Sequence, residues 1–143
     1  MSRTGFVIRY AGCPIGWCSK FQTEISLSTA EDEYIALSQA LREVIPLMTL
    51  LEELEEIYPL YTAEPDFICK VWEDNQSFIA MTEAHKFTPR TKHIALKYHH
   101  FLSHVDSGKI KIIYNPSEEQ IADISTKPVN DPQFYVLRYL LMG

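Results

Sequence analysis

Three acidic residues of this sequence could together form a metal site, because each lies at the start or end of a different predicted element. Glu33 falls in the first turns of a long predicted helix, Asp74 follows a strand-like segment, and Asp123 lies near the start of another helix. Carboxylate oxygens are preferred ligands of Mg²⁺ and Mn²⁺, and two such ions about 3.5 to 4 Å apart can hold both reacting oxygens of a phosphodiester. Taken singly, each residue is as well explained as a solvated carboxylate, so the positions alone leave both interpretations open.

A basic segment between residues 84 and 105 is the second candidate for chemistry, since it contains no acidic residue and holds all five histidines. The net charge of −6 means that any affinity for nucleic acid must come from such a local patch. A solvated basic helix face is the alternative. A zinc site is a weak interpretation, because no cysteine pair accompanies the histidines. The residues predicted to contact a phosphate backbone are Lys86, Arg90, Lys92, His93 and Lys97.

The N-terminal third of the sequence predicts a β-hairpin followed by a long helix. Apolar residues alternate from Phe6 to Tyr10, and Gly12-Cys13-Pro14 supplies a turn before a second strand that ends at Lys20. Ser28 and Glu31 then match a capping box, which predicts a helix start. Pro46 should divide that helix into two pieces. Its apolar stripe consists of Tyr34, Leu37, Leu41, Val44, Met48 and Leu51.

The remaining pattern alternates strands with helices and so predicts a mixed α/β fold, in which a mixed sheet is flanked by helices. Trp17 and Trp72 lie in strand-like apolar stretches, which favours core positions over base-stacking positions. The predicted elements, in order, are a strand over residues 67–72, a short helix near 76–84, a helix ending near Val105, a strand over 109–114, a helix opened by a second capping box of Ser117 and Gln120, and a C-terminal helix after Asp131.

Length and composition favour a single soluble, intracellular domain over residues 1–143. Hydrophobic residues make up 46% of the chain and charged residues 22%, which differs from the composition of disordered proteins. The first residues do not resemble a secretory signal, and we expect no membrane association. The three cysteines form no CxxC pair, so we expect free thiols.

Four short motifs, in order and covering nearly the whole chain, resemble those of the ribonuclease H segment of copia-type LTR retrotransposon Pol polyproteins. Together they are far more specific than any one of them. The matching stretches are Gly16-Trp17-Cys18-Ser19-Lys20-Phe21-Gln22 with Leu27-Ser28-Thr29-Ala30-Glu31-Asp32-Glu33-Tyr34-Ile35-Ala36-Leu37, then Glu73-Asp74-Asn75-Gln76-Ser77, then Arg90-Thr91-Lys92-His93-Ile94, and finally Gln120-Ile121-Ala122-Asp123-Ile124-Ser125-Thr126-Lys127-Pro128.

The resemblance implies hydrolysis of the RNA strand of RNA/DNA hybrids during reverse transcription, with two Mg²⁺ or Mn²⁺ ions as cofactors. It makes Glu33, Asp74 and Asp123 catalytic metal ligands, the first two for one ion and Asp123 for the other. The implied partners are the hybrid and the reverse transcriptase domain of the same polyprotein, in a cytoplasmic particle or the nucleus.

The resemblance also implies a fourth carboxylate, on a central first strand that would lie upstream of Ser2. We therefore expect this chain to lack that strand and to be unable to assemble a two-metal site by itself. The strand edges left unpaired could promote self-association. The alternative function is a catalytically inactive remnant that serves at most as a nucleic-acid or self-association module.

Overall fold

The computed structural model describes residues 3–23, 26, 28–58, 67–83 and 101–142. The strands are β1 (Arg3–Tyr10), β2 (Cys13–Phe21), β3 (Cys69–Glu73) and β4 (Ile110–Tyr114). The helices are α1 (Thr29–Ile57), α2 (Gln76–Glu83), α3 (Leu102–Asp106), α4 (Asp123–Thr126) and α5 (Asp131–Met142), with a 3-10 turn over Ser117–Glu119.

The described strands form two separate two-stranded sheets. β1 pairs with β2 in antiparallel register, and β3 pairs with β4 in parallel register from Cys69↔Ile110 to Glu73↔Tyr114. The mixed α/β class with flanking helices is therefore confirmed. Among the described strands, β1 and β3 have one neighbour each, so each presents one edge without a strand partner.

A two-residue turn at Ala11 and Gly12 closes the hairpin, one residue earlier than the sequence predicts. Both residues have positive φ, 50° and 80°, and this backbone conformation matches the right-handed twist of the flanking strands. Pro14 lies inside β2, opposite Arg9 of β1. The pairing register shifts next to it, between Ile8 and Arg9. The shift accommodates a residue that cannot donate a backbone hydrogen bond.

α1 begins as predicted but does not break at Pro46. The backbone N–H of Glu31 donates to Ser28 Oγ at 3.3 Å, as expected of an N-cap serine. The prediction of two helical pieces is wrong, because α1 is one helix of 29 residues with Pro46 inside it. Buried Leu41 and Met48 hold the helix on either side of the proline, and this packing offsets the missing backbone donor.

By length and composition alone, the segment Glu31–Ile57 could cross a membrane. A buried helix of a soluble protein meets the same criterion, so the finding is weak. One side of this helix packs into the protein core, where Tyr34 and Ile35 are each 1% exposed.

The main core joins α1 to α2, α3 and β4, and largely confirms the predicted apolar stripe. Tyr34 is its centre: its ring centroid lies 6.0 Å from that of Phe78 and 5.2 Å from that of Phe101. This packing fixes the first turns of α1 beside the carboxyl end of β3. The buried members of the cluster are Tyr34, Ile35, Leu37, Leu41, Phe78, Phe101, Leu102 and Ile110.

Both tryptophans are exposed, so the prediction that they belong to the core is wrong. Trp17 is 75% exposed and Trp72 is 53% exposed. Side chains alternate between the two faces of a strand, and Trp17 pairs with Val7 on the face opposite to buried Phe6. An apolar strand composition does not specify which of its faces is covered.

Candidate metal centre

Three carboxylates meet where α1 passes the carboxyl end of β3. Glu33 lies in the second turn of α1, Glu73 is the last residue of β3, and Asp74 follows it directly. One carboxylate oxygen of each residue lies within 4.8 Å of those of the other two. We call this group the carboxylate cluster. It brings together two residues that the sequence singles out, Glu33 and Asp74, with one that it does not.

Asn75 fixes the position of the cluster by ending β3 and starting α2. Its backbone N–H donates to Glu73 Oε1 at 3.0 Å, and its side-chain Oδ1 accepts from Phe78 N at 3.1 Å. The second contact is an N-cap, which satisfies a backbone donor in the first turn of the helix. The chain therefore reverses direction immediately after Glu73 and Asp74, with both carboxylates at the sheet end.

The loop after β4 contributes two side chains to the same end of β3. Ser117 Oγ donates to Asp74 Oδ2 at 2.6 Å, and Gln120 Nε2 donates to the backbone oxygen of Trp72 at 3.0 Å. The predicted capping box of Ser117 and Gln120 is therefore wrong. Only the 3-10 turn Ser117–Glu119 forms there, because both side chains bond to the β3 end rather than to their own backbone.

Asp123 lies near the cluster but outside it. It is the first residue of α4, is buried, and has Oδ2 2.7 Å from Lys127 Nζ. Its charge still reaches Glu33, where it is the smallest of the influences that raise the pKa. The structure thus places the three acids predicted from the sequence in one region and brings two of them into contact range.

Burial and mutual repulsion make the cluster a poor place for several negative charges. Burial is the largest cause that raises the pKa of Glu33 to about 7, followed by the charges of Glu73 and Asp74. Burial also raises the pKa of Glu73 to about 7, although the hydrogen bond from the Asn75 backbone lowers it. Protons or a cation are therefore needed to balance these carboxylates near neutral pH.

These raised pKa values predict that the metal-free protein loses stability as pH rises from about 4.5 to about 7. In that window the folded state keeps protons on Glu33 and Glu73 that the unfolded chain has released, so deprotonation favours unfolding. Urea denaturation in EDTA at several pH values measures the effect. Glu73→Gln should flatten the pH dependence relative to the wild type, and identical curves for the two proteins would contradict the shift at Glu73.

The donor set fits a hard divalent cation. All three groups of the cluster offer oxygen, the ligand that Mg²⁺ and Mn²⁺ prefer, and among the described residues no sulfur or imidazole donor joins them. Ligands on opposite sides of Mg²⁺ are separated by roughly 4.2 Å, twice its bond length of about 2.1 Å. Adjacent ligands of octahedral Mg²⁺ lie closer together, at roughly 3.0 Å, so three oxygens on one ion would have pairwise distances between these two values.

Glu73 is the site residue that the sequence analysis missed, although a signal for it was present. Along β3, Lys70 and Trp72 are exposed, while Val71 and Glu73 alternate with them on the more buried face. A charged residue at an inward position of a short strand is unusual, and it indicates a role for the charge. The basic-segment candidates Lys86, Arg90, Lys92, His93 and Lys97 lie outside the described residues.

Comparison with known proteins finds homologues that cover most of the chain. They are retrovirus-related Pol polyproteins of plant transposons. The Pol polyprotein from transposon TNT 1-94 of Nicotiana tabacum is 34% identical over 140 residues, 98% of this chain. Those from transposons RE1 and RE2 of Arabidopsis thaliana are each 30% identical over 134 residues, or 94% of the chain.

These homologues point to a region of a retrotransposon Pol polyprotein. The chain spans only 9% to 10% of the length of those relatives. No family model matches the chain. No solved structure matches it either.

Proposed function

We propose that this chain is the ribonuclease H segment of a copia-type retrotransposon Pol polyprotein and hydrolyses the RNA strand of RNA/DNA hybrids. The observation that carries the proposal is the convergence of Glu33 and Asp74, which are 41 residues apart in the numbering, in a carboxylate cluster. The homology to Pol polyproteins and the four ordered motifs support it independently. The enzyme class and the site residues are part of this proposal.

Glu33, Glu73 and Asp74 would hold one divalent cation, and Asp123 would serve a second. Mg²⁺ or Mn²⁺ bound there would neutralise phosphodiester charge and activate water for attack. Asp74 is oriented by its hydrogen bond from Ser117, and the ion pair with Lys127 restrains Asp123 at the start of α4. Preorganised ligands of this kind lower the cost of arranging charge when the substrate reacts.

The fourth carboxylate that the resemblance implies upstream would bridge both ions in the polyprotein. Glu73 is a further ligand in the described part of the chain, and its closeness to Glu33 and Asp74 suits it to share one ion with them. Activity of the chain by itself would then depend on whether Glu73 can replace the bridging group. Cleavage assays on the chain with and without the upstream segment separate these two cases.

The basic segment and the surrounding polyprotein would supply the remaining contacts with substrate. Phosphate contacts from Lys86, Arg90, Lys92, His93 and Lys97 would follow the hybrid backbone. The reverse transcriptase domain of the same polyprotein would deliver the hybrid, inside the cell. An edge of β1 or β3 that has no partner among the described strands would take part in that assembly or in self-association.

Cleavage of a fluorescently labelled RNA/DNA hybrid tests the proposal. We would compare the purified chain with a version extended by the segment that precedes the matching region in the TNT 1-94 polyprotein. We expect cleavage of the RNA strand in Mg²⁺ or Mn²⁺, none in EDTA, and none of a DNA duplex. Cleavage by the unextended chain would mean that Glu73 suffices, and cleavage by the extended version alone would mean that the bridging carboxylate is required. Failure of both folded proteins would overturn the proposal.

A further inference from the structure

The face of the β1–β2 hairpin opposite Phe6 exposes aromatic rings that are not part of the proposed metal centre. Trp17 is 75% exposed on β2, and Phe21, further along the same strand, is 55% exposed. Tryptophan is highly buried on average, so an indole exposed to this extent is a candidate contact for a ligand. The metal centre lies elsewhere, at the carboxyl end of β3.

The strand register places basic side chains on the same face as these rings. Val7 pairs with Trp17, and Arg3 pairs with Phe21. The Arg3 guanidinium lies over the Phe21 ring, 4.3 Å from its centroid, and Arg9 follows Val7 by two residues and therefore shares its face. We call Val7, Arg9 and Trp17, together with the Arg3 and Phe21 pair, the hairpin face.

Helix α4 covers the middle of this face and leaves both ends open. Ser19 Oγ donates to the backbone oxygen of Ser125 at 2.6 Å, and a Cβ on Gly5 would come within 2.3 Å of Thr126 Cγ2. Trp17 lies on the side towards the hairpin turn. Gly5 and Ser19, in the middle of the face, are therefore packed against α4, whereas Trp17 at one end and Phe21 at the other remain exposed.

The charge of the hairpin differs from that of the whole chain. Residues 3–23 contain three cations, Arg3, Arg9 and Lys20, and no carboxylate, whereas the net charge of the chain is −6. Arg9 donates to the backbone oxygen of Gly12 at 2.8 Å, which uses one of the five N–H donors of its guanidinium. Of these cations, Arg3 and Arg9 lie on the hairpin face, and within the described part of the chain neither forms an ion pair, so this face offers an exposed indole beside positive charge.

We infer that the hairpin face binds single-stranded nucleic acid, with an unpaired base stacked on Trp17 and phosphate bound by Arg9. Aromatic platforms beside cations are the features by which proteins hold single strands without sequence preference. Charge complementarity favours this ligand over a second copy of the chain, because two copies would bring like-charged hairpin faces together. The inference goes beyond the proposed function, since binding here requires neither the carboxylate cluster nor a metal.

The two tryptophans of the chain allow a direct test. In a Trp72→Phe background, Trp17 is the only source of indole fluorescence. We would titrate this protein with a twelve-nucleotide deoxythymidine oligomer in EDTA. We expect quenching of the Trp17 emission, parallel binding by fluorescence anisotropy of labelled oligomer, and affinity that falls as salt increases. Trp17→Ala in the wild-type protein should weaken binding by about tenfold or more.

Tyr58→Ala is the matched control, because Tyr58 is 69% exposed but lies at the C-terminal end of α1 rather than on the hairpin. It should leave the affinity for the oligomer unchanged, while Arg9→Gln should weaken binding and make it less sensitive to salt. Equal oligomer affinity of the wild type and Trp17→Ala would overturn the inference. The wild type could instead fail to bind the oligomer and form a dimer in sedimentation analysis. If Trp17→Ala abolishes that dimer, the hairpin face is assigned to self-association. The titration is done in EDTA and measures binding rather than cleavage. A negative result in the hybrid-cleavage assay would therefore leave the binding result unchanged.

Discussion

In whichever version of the protein cleaves the hybrid, with or without the upstream segment, we expect Asp74→Asn to lower the rate of metal-dependent cleavage by about a hundredfold or more, with the fold retained. The expected loss has a charge origin, since the substitution removes one negative ligand of a proposed site whose cation would stabilise the transition state by several kcal/mol. The amide is nearly the same size as the carboxylate, and its oxygen can still accept the hydrogen bond that Ser117 donates. Glu33→Gln should have an effect of similar size.

The same variants separate loss of metal binding from loss of structure. Mg²⁺ binding to the folded state should raise the thermal midpoint of the wild type, and Asp74→Asn should reduce that increase. Glu118→Gln is the matched control, because Glu118 is an exposed acid in the 3-10 turn beside Ser117 but lies outside the cluster. It should retain both the cleavage rate and the response to Mg²⁺. Full activity of Asp74→Asn would remove Asp74 from the proposed site.

Features set by neighbouring residues could be predicted from the sequence. Ser28 and Glu31 indicate the start of α1, and the capping contact at that start is present. Residue alternation indicates the hairpin, because the alternation and the turn lie within about twenty residues. The helical spacing from Tyr34 to Met48 likewise indicates which side of α1 is buried.

The errors concern choices that depend on distant parts of the chain. Ser117 and Gln120 have the spacing of a capping box, but residues of β3 more than forty positions away compete for both side chains and bind them. Trp17 lies in a strand whose composition fits either face, and its exposure depends on α4, which packs against Gly5 and Ser19 of the same face. Local propensity carries no information about such competition.

The candidate site shows the same division between local and distant effects. Motif resemblance could identify Glu33 and Asp74 separately, but their proximity results from core packing between α1 and the β3–β4 sheet. To predict Glu73 as a member of the cluster, one must know that the last side chain of β3 points inward. That direction depends on the register of β3 against β4. A one-residue shift in that register would turn Glu73 outward.

Phe78→Ala should lower the free energy of unfolding by about 3 to 5 kcal/mol, a large part of the 5 to 15 kcal/mol typical of folded proteins. Phe78 has no exposed surface and packs edge-on against Tyr34 at a centroid distance of 6.0 Å. Removal of its ring leaves a cavity between α1 and α2 that backbone movement fills only in part. Urea denaturation should show a lower midpoint with an unchanged slope.

Phe134→Ala is the matched substitution outside the core, because Phe134 is 39% exposed on α5. It should cost less than half as much as Phe78→Ala, since less apolar surface returns to water. Phe78 also lies in the first turn of α2, where its backbone N–H bonds to Asn75 beside Asp74. Phe78→Ala keeps this backbone donor but loses the ring contact with Tyr34 that holds the first turn of α2 against α1, so under conditions where the variant remains folded it should weaken Mg²⁺ binding as well, whereas Phe134→Ala should not. An unchanged Mg²⁺ affinity in folded Phe78→Ala would show that Asn75 and β3 position the carboxylates without help from this part of the core.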